Sequence, residues 1–78
     1  MNITPNPFKD VFQVDLPSGL AIETIDLLDV SGKKYDVSLN PGPSFWMVRP
    51  GQDLPAGIYV VKIVLKNGVT GTKQVVKL

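Results

Sequence analysis

Cysteine and histidine are both absent from this chain of 78 residues. A chain without cysteine forms neither disulfides nor thiolate metal sites. A chain without histidine lacks the commonest general base and a frequent zinc ligand. These two absences exclude most thiol, triad and zinc chemistry. We therefore predict that the chain is not an enzyme and has no catalytic residue, no metal site and no cofactor.

A strong charge of either sign is also lacking. Eight basic and seven acidic side chains leave a formal charge of +1, and the basic residues are spread along the chain except for Lys33 and Lys34. Phosphate binding needs clustered positive charge, so we expect no nucleic-acid partner. No apolar run approaches the roughly 18 residues of a membrane span, so we expect no membrane insertion.

The length fits one domain, and a chain this short buries only about 60% of the surface that it exposes when unfolded. The composition, 44% hydrophobic and 19% charged, is typical of globular rather than disordered chains. We predict a single domain over residues 1–78 that starts near Pro5. Because Met1 stands directly before this domain-like start, we expect a piece of a longer protein whose N-terminal part is missing here.

Seven glycines and seven prolines separate short apolar runs, which favours strands joined by turns. The run VFQVDL alternates, with Phe12, Val14 and Leu16 on one face. A second run covers residues 20–30. Asp29 can accept bonds from the backbone N–H groups that follow it, so residues 29–33 predict a hairpin turn. We expect one strand to return from this turn through residues 35–39.

The second half of the chain predicts a central strand and a terminal one. Arg49 and Pro50 are expected to end early the strand that begins at FWMV. Residues 58–66 are apolar on both faces for most of their length, interrupted by Lys62, which indicates a central strand. KNG predicts a hairpin into the last strand, VTGTKQVVKL. With six or seven strands and no helix, we predict an all-β fold, a small immunoglobulin-like antiparallel β-sandwich.

Two pairs of carboxylates remain candidates for acid–base chemistry or for binding a hard cation. Asp26 and Asp29, or Asp15 and Glu23, can meet across a hairpin. Aspartates in β proteins more often shape turns or face water. We favour that second interpretation.

The aromatic residues carry two interpretations as well. Phe45 and Trp46, with Tyr35, can form a flat platform that stacks on sugars. Alternatively, one of the neighbouring pair fills the core and the other covers a sheet edge, which Met47 and Val48 beside them favour. Lys73 and Lys77 share one face of the last strand and can simply protect its edge from aggregation.

Four motifs occur together in order: PNPF at 5–8, LDVSGKKY at 28–35, LPAGIYVVKI at 54–63 and TKQVVKL at 72–78. With these motifs the chain resembles the type A C-terminal sorting domain of the type IX secretion system, found in Bacteroidetes. The resemblance covers the chain from about Pro5 to Leu78. Each motif is weak alone, and their common register makes the signal specific.

The resemblance implies a secretion signal that directs a covalently attached N-terminal cargo across the outer membrane. The implied partners are the type IX machinery and a sortase-like cysteine protease, which often removes the domain and can join the cargo to lipopolysaccharide. The implied location is the periplasm in transit, then the cell surface or the medium. The chain would itself be a ligand and a substrate.

The resemblance also implies two groups of residues. The patterned structural positions are Asn6, Pro7, Asp29, Gly32, Leu54, Gly57 and Tyr59. The glycines among them are most simply backbone requirements and the tyrosine a core aromatic. The implied recognition residues are Lys73, Gln74, Val75, Val76, Lys77 and Leu78, on an edge that can accept a strand.

Two functions of other classes stay open at this point. One is a carbohydrate-binding or adhesive β-sandwich that uses the aromatic platform. The other is a structural accessory domain of a larger secreted protein.

Overall fold

The computed structural model describes residues 2–78, and in this part of the chain it contains eight strands and no helix. The strands are β1 (Asn2–Thr4), β2 (Phe12–Asp15), β3 (Ile22–Asp29), β4 (Lys34–Tyr35), β5 (Val37–Pro41), β6 (Phe45–Pro50), β7 (Gly57–Leu65) and β8 (Thr70–Lys77). They form two four-stranded sheets, ordered β1-β2-β6-β5 and β4-β3-β7-β8. Every strand pair is antiparallel. The predicted all-β sandwich is confirmed.

The first sheet is built around β2 and β6. Phe12 lies opposite Val48 in the register of these two strands, and both side chains are fully buried. The alternation of VFQVDL therefore places its apolar face inward, as predicted, and leaves Gln13 and Asp15 on the other face.

The second sheet has β7 at its centre, between β3 and β8. Leu27, Val61 and Lys73 follow one another across these three strands. The apolar sequence of β7 suits a strand with neighbours on both sides, so the predicted central position is confirmed. Lys62, the one charged residue of β7, is exposed on its outer face.

The core lies between the sheets and takes residues from both. A fully buried aliphatic or aromatic side chain stabilises the fold by about 1.5–3 kcal/mol. The buried hydrophobic residues are Phe8, Phe12, Val14, Ile22, Ile25, Leu27, Val48, Leu54, Tyr59, Val61, Ile63, Leu65 and Val75. No helix in residues 2–78 is long and apolar enough to cross a bilayer.

The strand expected through residues 35–39 is in fact two strands in different sheets, and this prediction was wrong. β4 pairs with β3, whereas β5 pairs with β6. The chain changes sheet at Asp36, whose carbonyl accepts a 2.9 Å bond from Gly51 N–H. The apolar alternation continues through the crossing, so periodicity alone does not reveal it. With β1 added, residues 2–78 contain eight strands rather than six or seven.

The expected early end of β6 was also wrong, since the strand continues to Pro50. Ser44 C=O accepts a bond from Leu16 N–H on the β2 side, and Phe45 C=O accepts one from Gly42 N–H on the β5 side. Alternate residues therefore face alternate neighbours, which turns the nitrogen of Pro50 toward β2. The pairing with β2 ends at Val48, so the missing N–H of Pro50 breaks no ladder bond.

Candidate functional site at the C-terminal strand

The implied recognition residues lie on β8, at the edge of the second sheet, and just beyond it. Val75 is fully buried and belongs to the core. Lys73 and Gln74 are exposed, and Lys77 is partly buried. Val76 and Leu78 are exposed by 37% and 64% of their surface. One of the six residues, Val75, thus belongs to the core, and the side chains of the other five are at least partly exposed.

An N-terminal segment, residues 5–8, lies along the outer side of this edge. The side chain of Asn6 bonds to β8 twice: its Nδ2 donates to Gln74 C=O at 3.3 Å, and its Oδ1 accepts from Val76 N–H at 2.9 Å. An amide side chain has the donor and the acceptor of a peptide group. Asn6 therefore pairs with β8 as a strand residue would.

Phe8 continues this pairing through its backbone. Phe8 N–H donates to Val76 C=O at 2.8 Å, and Phe8 C=O accepts from Leu78 N–H at 2.9 Å. Its ring is fully buried and meets Phe12 edge-on, with 5.0 Å between ring centroids. The first and last motifs of the sequence are therefore one structural unit. No local pattern in the sequence indicates this contact, because it joins residues about seventy positions apart.

The motif at residues 54–59 fixes the start of the central strand, β7. Gly57 has a φ of +149°, which residues with a side chain rarely adopt. Leu54 is buried, and Tyr59 is buried with its hydroxyl donating to Pro55 C=O at 2.7 Å. The predicted backbone role of the glycine and the core role of the tyrosine are confirmed. This motif positions β7, against which β8 is paired.

The predicted hairpin turn at residues 29–33 is confirmed as well. Asp29 Oδ1 accepts bonds from Ser31 N–H at 2.9 Å, from Ser31 Oγ at 2.6 Å and from Lys33 N–H at 3.0 Å. Gly32 has a φ of +92°. The hydroxyl bond from Ser31, followed by the two backbone bonds, lowers the pKa of Asp29 against the opposing effect of burial. This carboxylate is a turn former.

Tyr35 completes the turn from the strand that follows. Its hydroxyl donates to Asp29 Oδ2 at 3.2 Å, and its ring meets that of Tyr59 edge-on, with 6.0 Å between centroids. Burial, and then the bond to the Asp29 carboxylate, raise the pKa of Tyr35. An aromatic contact therefore joins the hairpin to the start of β7.

The carboxylates of the two candidate pairs have other partners or lie in different sheets. Asp26 Oδ1 lies 3.2 Å from Lys34 Nζ, and Asp29 Oδ1 accepts the hydrogen bonds of the hairpin turn. Asp15 belongs to the first sheet, where it accepts a bond from Gln13, and Glu23 belongs to the second. Within residues 2–78 no group of three or more acidic residues is arranged to hold a metal ion.

The aromatic platform is split between the sheets. Trp46 is partly buried and packs against the core, and the ring of Phe45 covers Gly42 so closely that a Cβ there would lie 2.6 Å from it. Both line a cleft of about 280 Å³ beside the loop at residues 17–20. Tyr35 stands on β4 in the other sheet. The structure thus supports the core-and-edge interpretation of the neighbouring pair.

Comparison with known protein families identifies the class of protein to which this chain belongs. The family described as secretion system C-terminal sorting domain matches residues 2–77. The chain belongs to this family, the C-terminal sorting domains of type IX secretion. No curated protein and no solved structure shows a significant match.

Proposed function

We propose that this domain is the export label of a larger protein, and that it carries a covalently attached N-terminal cargo through the type IX machinery and across the outer membrane. The family match over residues 2–77 is the observation that carries this proposal. In it, the cargo is in the periplasm in transit and ends at the cell surface or in the medium. A sortase-like cysteine protease then removes the label.

Within this proposal the machinery recognises residues 73–78. The exposed side chains of Lys73, Gln74, Val76 and Leu78 are available to it. Val75 acts differently, because its buried side chain holds β8 on the core. Val76 also lies opposite Ile58 of β7, which is 50% exposed. Val76 and Ile58 together give a partner an apolar surface on the outer face of the sheet, at residues 73–78, which we call the tail.

A fusion protein tests the label. A signal peptide and a fluorescent protein that matures in the periplasm are placed before residues 1–78, and a matched fusion lacks the domain. In a bacterium with type IX secretion, the fusion with the domain is expected outside the cell and the matched fusion in the periplasm. Equal distribution of the two reporters would contradict the proposal.

A second experiment tests the tail without unfolding it. Deletion of residues 73–78 removes buried Val75 together with the bonds to Asn6 and Phe8, so it damages the fold as well. The triple variant Lys73→Ala, Val76→Thr, Leu78→Ala changes exposed side chains only. Losing contacts of about 1 kcal/mol each should lower export roughly tenfold or more.

The matched control changes the same residue types at exposed positions elsewhere: Lys66→Ala, Val69→Thr and Leu20→Ala. It should be exported like the unchanged domain. Thermal melts of both variants confirm that they fold. Export of the tail variant at the level of the control would remove the tail as the recognised element.

A further inference from the structure

The edge strand β8 has an open half and a covered half. Val76 N–H and C=O point outward to Asn6 and Phe8, and Leu78 N–H does the same. Because consecutive residues of an antiparallel strand alternate between its two neighbours, Thr70, Thr72 and Gln74 also direct their backbone groups outward. Among residues 2–78, only Gln74 C=O of these has a partner, the side chain of Asn6.

The length of the open half is set by the N-terminal segment. Residues 5–8 cover β8 from Gln74 C=O onward, and β8 begins at Thr70. Residues 70–74 therefore offer three N–H groups and two C=O groups in a regular row. Such a row binds an added strand through its backbone, and the side chains beside it select which strand is accepted.

The charge of β8 favours one class of strand. Lys73 and Lys77 are its charged residues, so the strand carries two positive charges and no negative one. Lys73 lies on the same face as buried Val75, yet its side chain is exposed. An added strand would place a side chain about 5 Å from it. A basic residue there is repelled and an acidic one attracted, so the lysine disfavours a strand with a basic residue at this position and favours one with an acidic residue.

We propose that residues 70–74 are a docking edge for an extended segment of a partner protein, which adds to β8 as a further strand and brings an acidic side chain beside Lys73. This inference rests on the proposed function, in which that partner is a component of the export machinery. Residues 73–78 and the docking edge then belong to one continuous segment and share Lys73 and Gln74.

Proline at position 72 tests the backbone pairing. Thr72→Pro removes an outward N–H and puts a ring where the partner strand would lie, and Gly71 before it tolerates the restriction that proline imposes on its neighbour. Thr72→Val changes the side chain and keeps the N–H. In the reporter fusion, the proline variant should lose export roughly tenfold or more, and the valine variant should be exported normally.

The fold of each variant is checked by its thermal melt. If Thr72→Pro does not fold, Thr70→Pro and Gln74→Pro are scored in its place, because each also removes an outward N–H. A folded proline variant that is exported normally overturns the inference. Unfolding of all three overturns it too, since it would show that these N–H groups are needed inside the domain.

Charge reversal tests the class of partner. Lys73→Glu should reduce export more strongly than Lys73→Gln, because a partner carboxylate would then meet a like charge. Lys66→Glu, an exposed change in the turn before β8, is the control and should have no effect. Equal export of the Lys73→Glu and Lys73→Gln variants would overturn the proposal that the partner brings an acidic side chain beside Lys73.

Two outcomes separate this inference from its alternatives. If the unchanged fusion is not exported at all, the proposed function itself fails. If it is exported but folded Thr72→Pro is exported as well, only the docking edge fails. Self-association of the isolated domain that Thr72→Pro abolishes, seen by sedimentation, would assign the edge to a second copy of this chain and overturn the partner proposal.

Discussion

At the scale of single residues, Asn6 explains why a short N-terminal motif accompanies a C-terminal one in this sequence. Its side chain joins Gln74 C=O and Val76 N–H, with distances of 3.3 and 2.9 Å. Pro5 and Pro7, on either side of Asn6, lack a backbone N–H and cannot donate a hydrogen bond to β8. The amide therefore provides the pairing that the backbone does not.

We expect Asn6→Ala to destabilise the domain by about 0.5–2 kcal/mol, since two hydrogen bonds at the surface are lost. Asn40→Ala is the control, because Asn40 is exposed and its side chain makes no hydrogen bond within residues 2–78. Chemical denaturation of the two variants measures the difference. Equal free energies of unfolding would show that the Asn6 bonds do not hold the tail.

Gly57 is needed for its backbone angle rather than for space. A Cβ at this position would meet no heavy atom of residues 2–78 within 4 Å apart from its chain neighbours, but its φ is +149°. Gly57→Ala should therefore cost about 1–3 kcal/mol through backbone strain alone. Gly51 has no positive φ, and a Cβ there would make an ordinary contact at 3.4 Å with Asp36 C=O. Gly51→Ala should therefore lower the stability less than Gly57→Ala does.

Denaturation and reporter export are measured together for Gly57→Ala. We expect reduced stability, with any loss of export following from it. A fully native melt with failed export would contradict this account and show that the machinery reads Gly57 directly.

Asp29 should make the stability of the domain depend on pH. Its pKa is lowered in the folded state from the ordinary 3.8, so its contribution is present above 3.8 and is lost as the pH falls through the lowered value. Asp29→Asn keeps an acceptor oxygen for the turn and does not titrate. The stability difference between the two proteins should shrink as the pH falls from neutral to well below 3.8. A difference independent of pH would refute the assignment.

At the scale of elements, the backbone groups of β8 face three different surroundings. The odd-numbered residues direct their backbone N–H and C=O groups to β7, and the last residues bond to the N-terminal segment. Thr70, Thr72 and Gln74 direct theirs outward. One strand thus combines a core function, a covered end and an open edge. Its alternation determines which backbone group belongs to which neighbour.

Hydrogen exchange of individual amides should show this division directly. We expect slow exchange at Lys73 and Val75, which face β7, and at Val76 and Leu78, which are bonded to Asn6 and Phe8. Thr72 should exchange fast. Nuclear magnetic resonance of the isolated domain resolves these amides, and protection of Thr72 equal to that of Lys73 would contradict the open edge.

The sequence could predict the elements that local patterns specify. The alternation around Phe12, the turn at Asp29 and Gly32, and the central β7 all follow from propensity and periodicity. The change of sheet at Asp36 could not be predicted, because the alternation runs on across it. The contact between Asn6 and β8 could not either, since nothing near Asn6 in the sequence indicates which edge it covers.

The candidate site was predictable only in part. Exposure of Lys73 and Gln74 fits a terminal strand, but the burial of Val75 depends on which face of β8 meets the core, and that is set by pairing with Tyr59. The immunoglobulin-like connectivity and the recognition role of residues 73–78 stay predictions.

At the scale of the whole molecule, the sandwich brings residues near both ends of the sequence to one sheet edge. The N-terminal segment, which in our proposal follows the cargo, lies directly on residues 74–78, part of the tail that we propose is recognised. A small core leaves such a domain a narrow stability margin. Because this contact is part of the fold, presentation of the tail depends on the domain being folded.

The most direct measurement compares one fusion in two strains. The reporter fused to residues 1–78 is expressed in a bacterium with type IX secretion and in the same strain lacking the translocon, and its fraction outside the cell is measured. The account predicts that the reporter is outside in the first strain and retained in the periplasm in the second. The same fraction outside in both strains would contradict it.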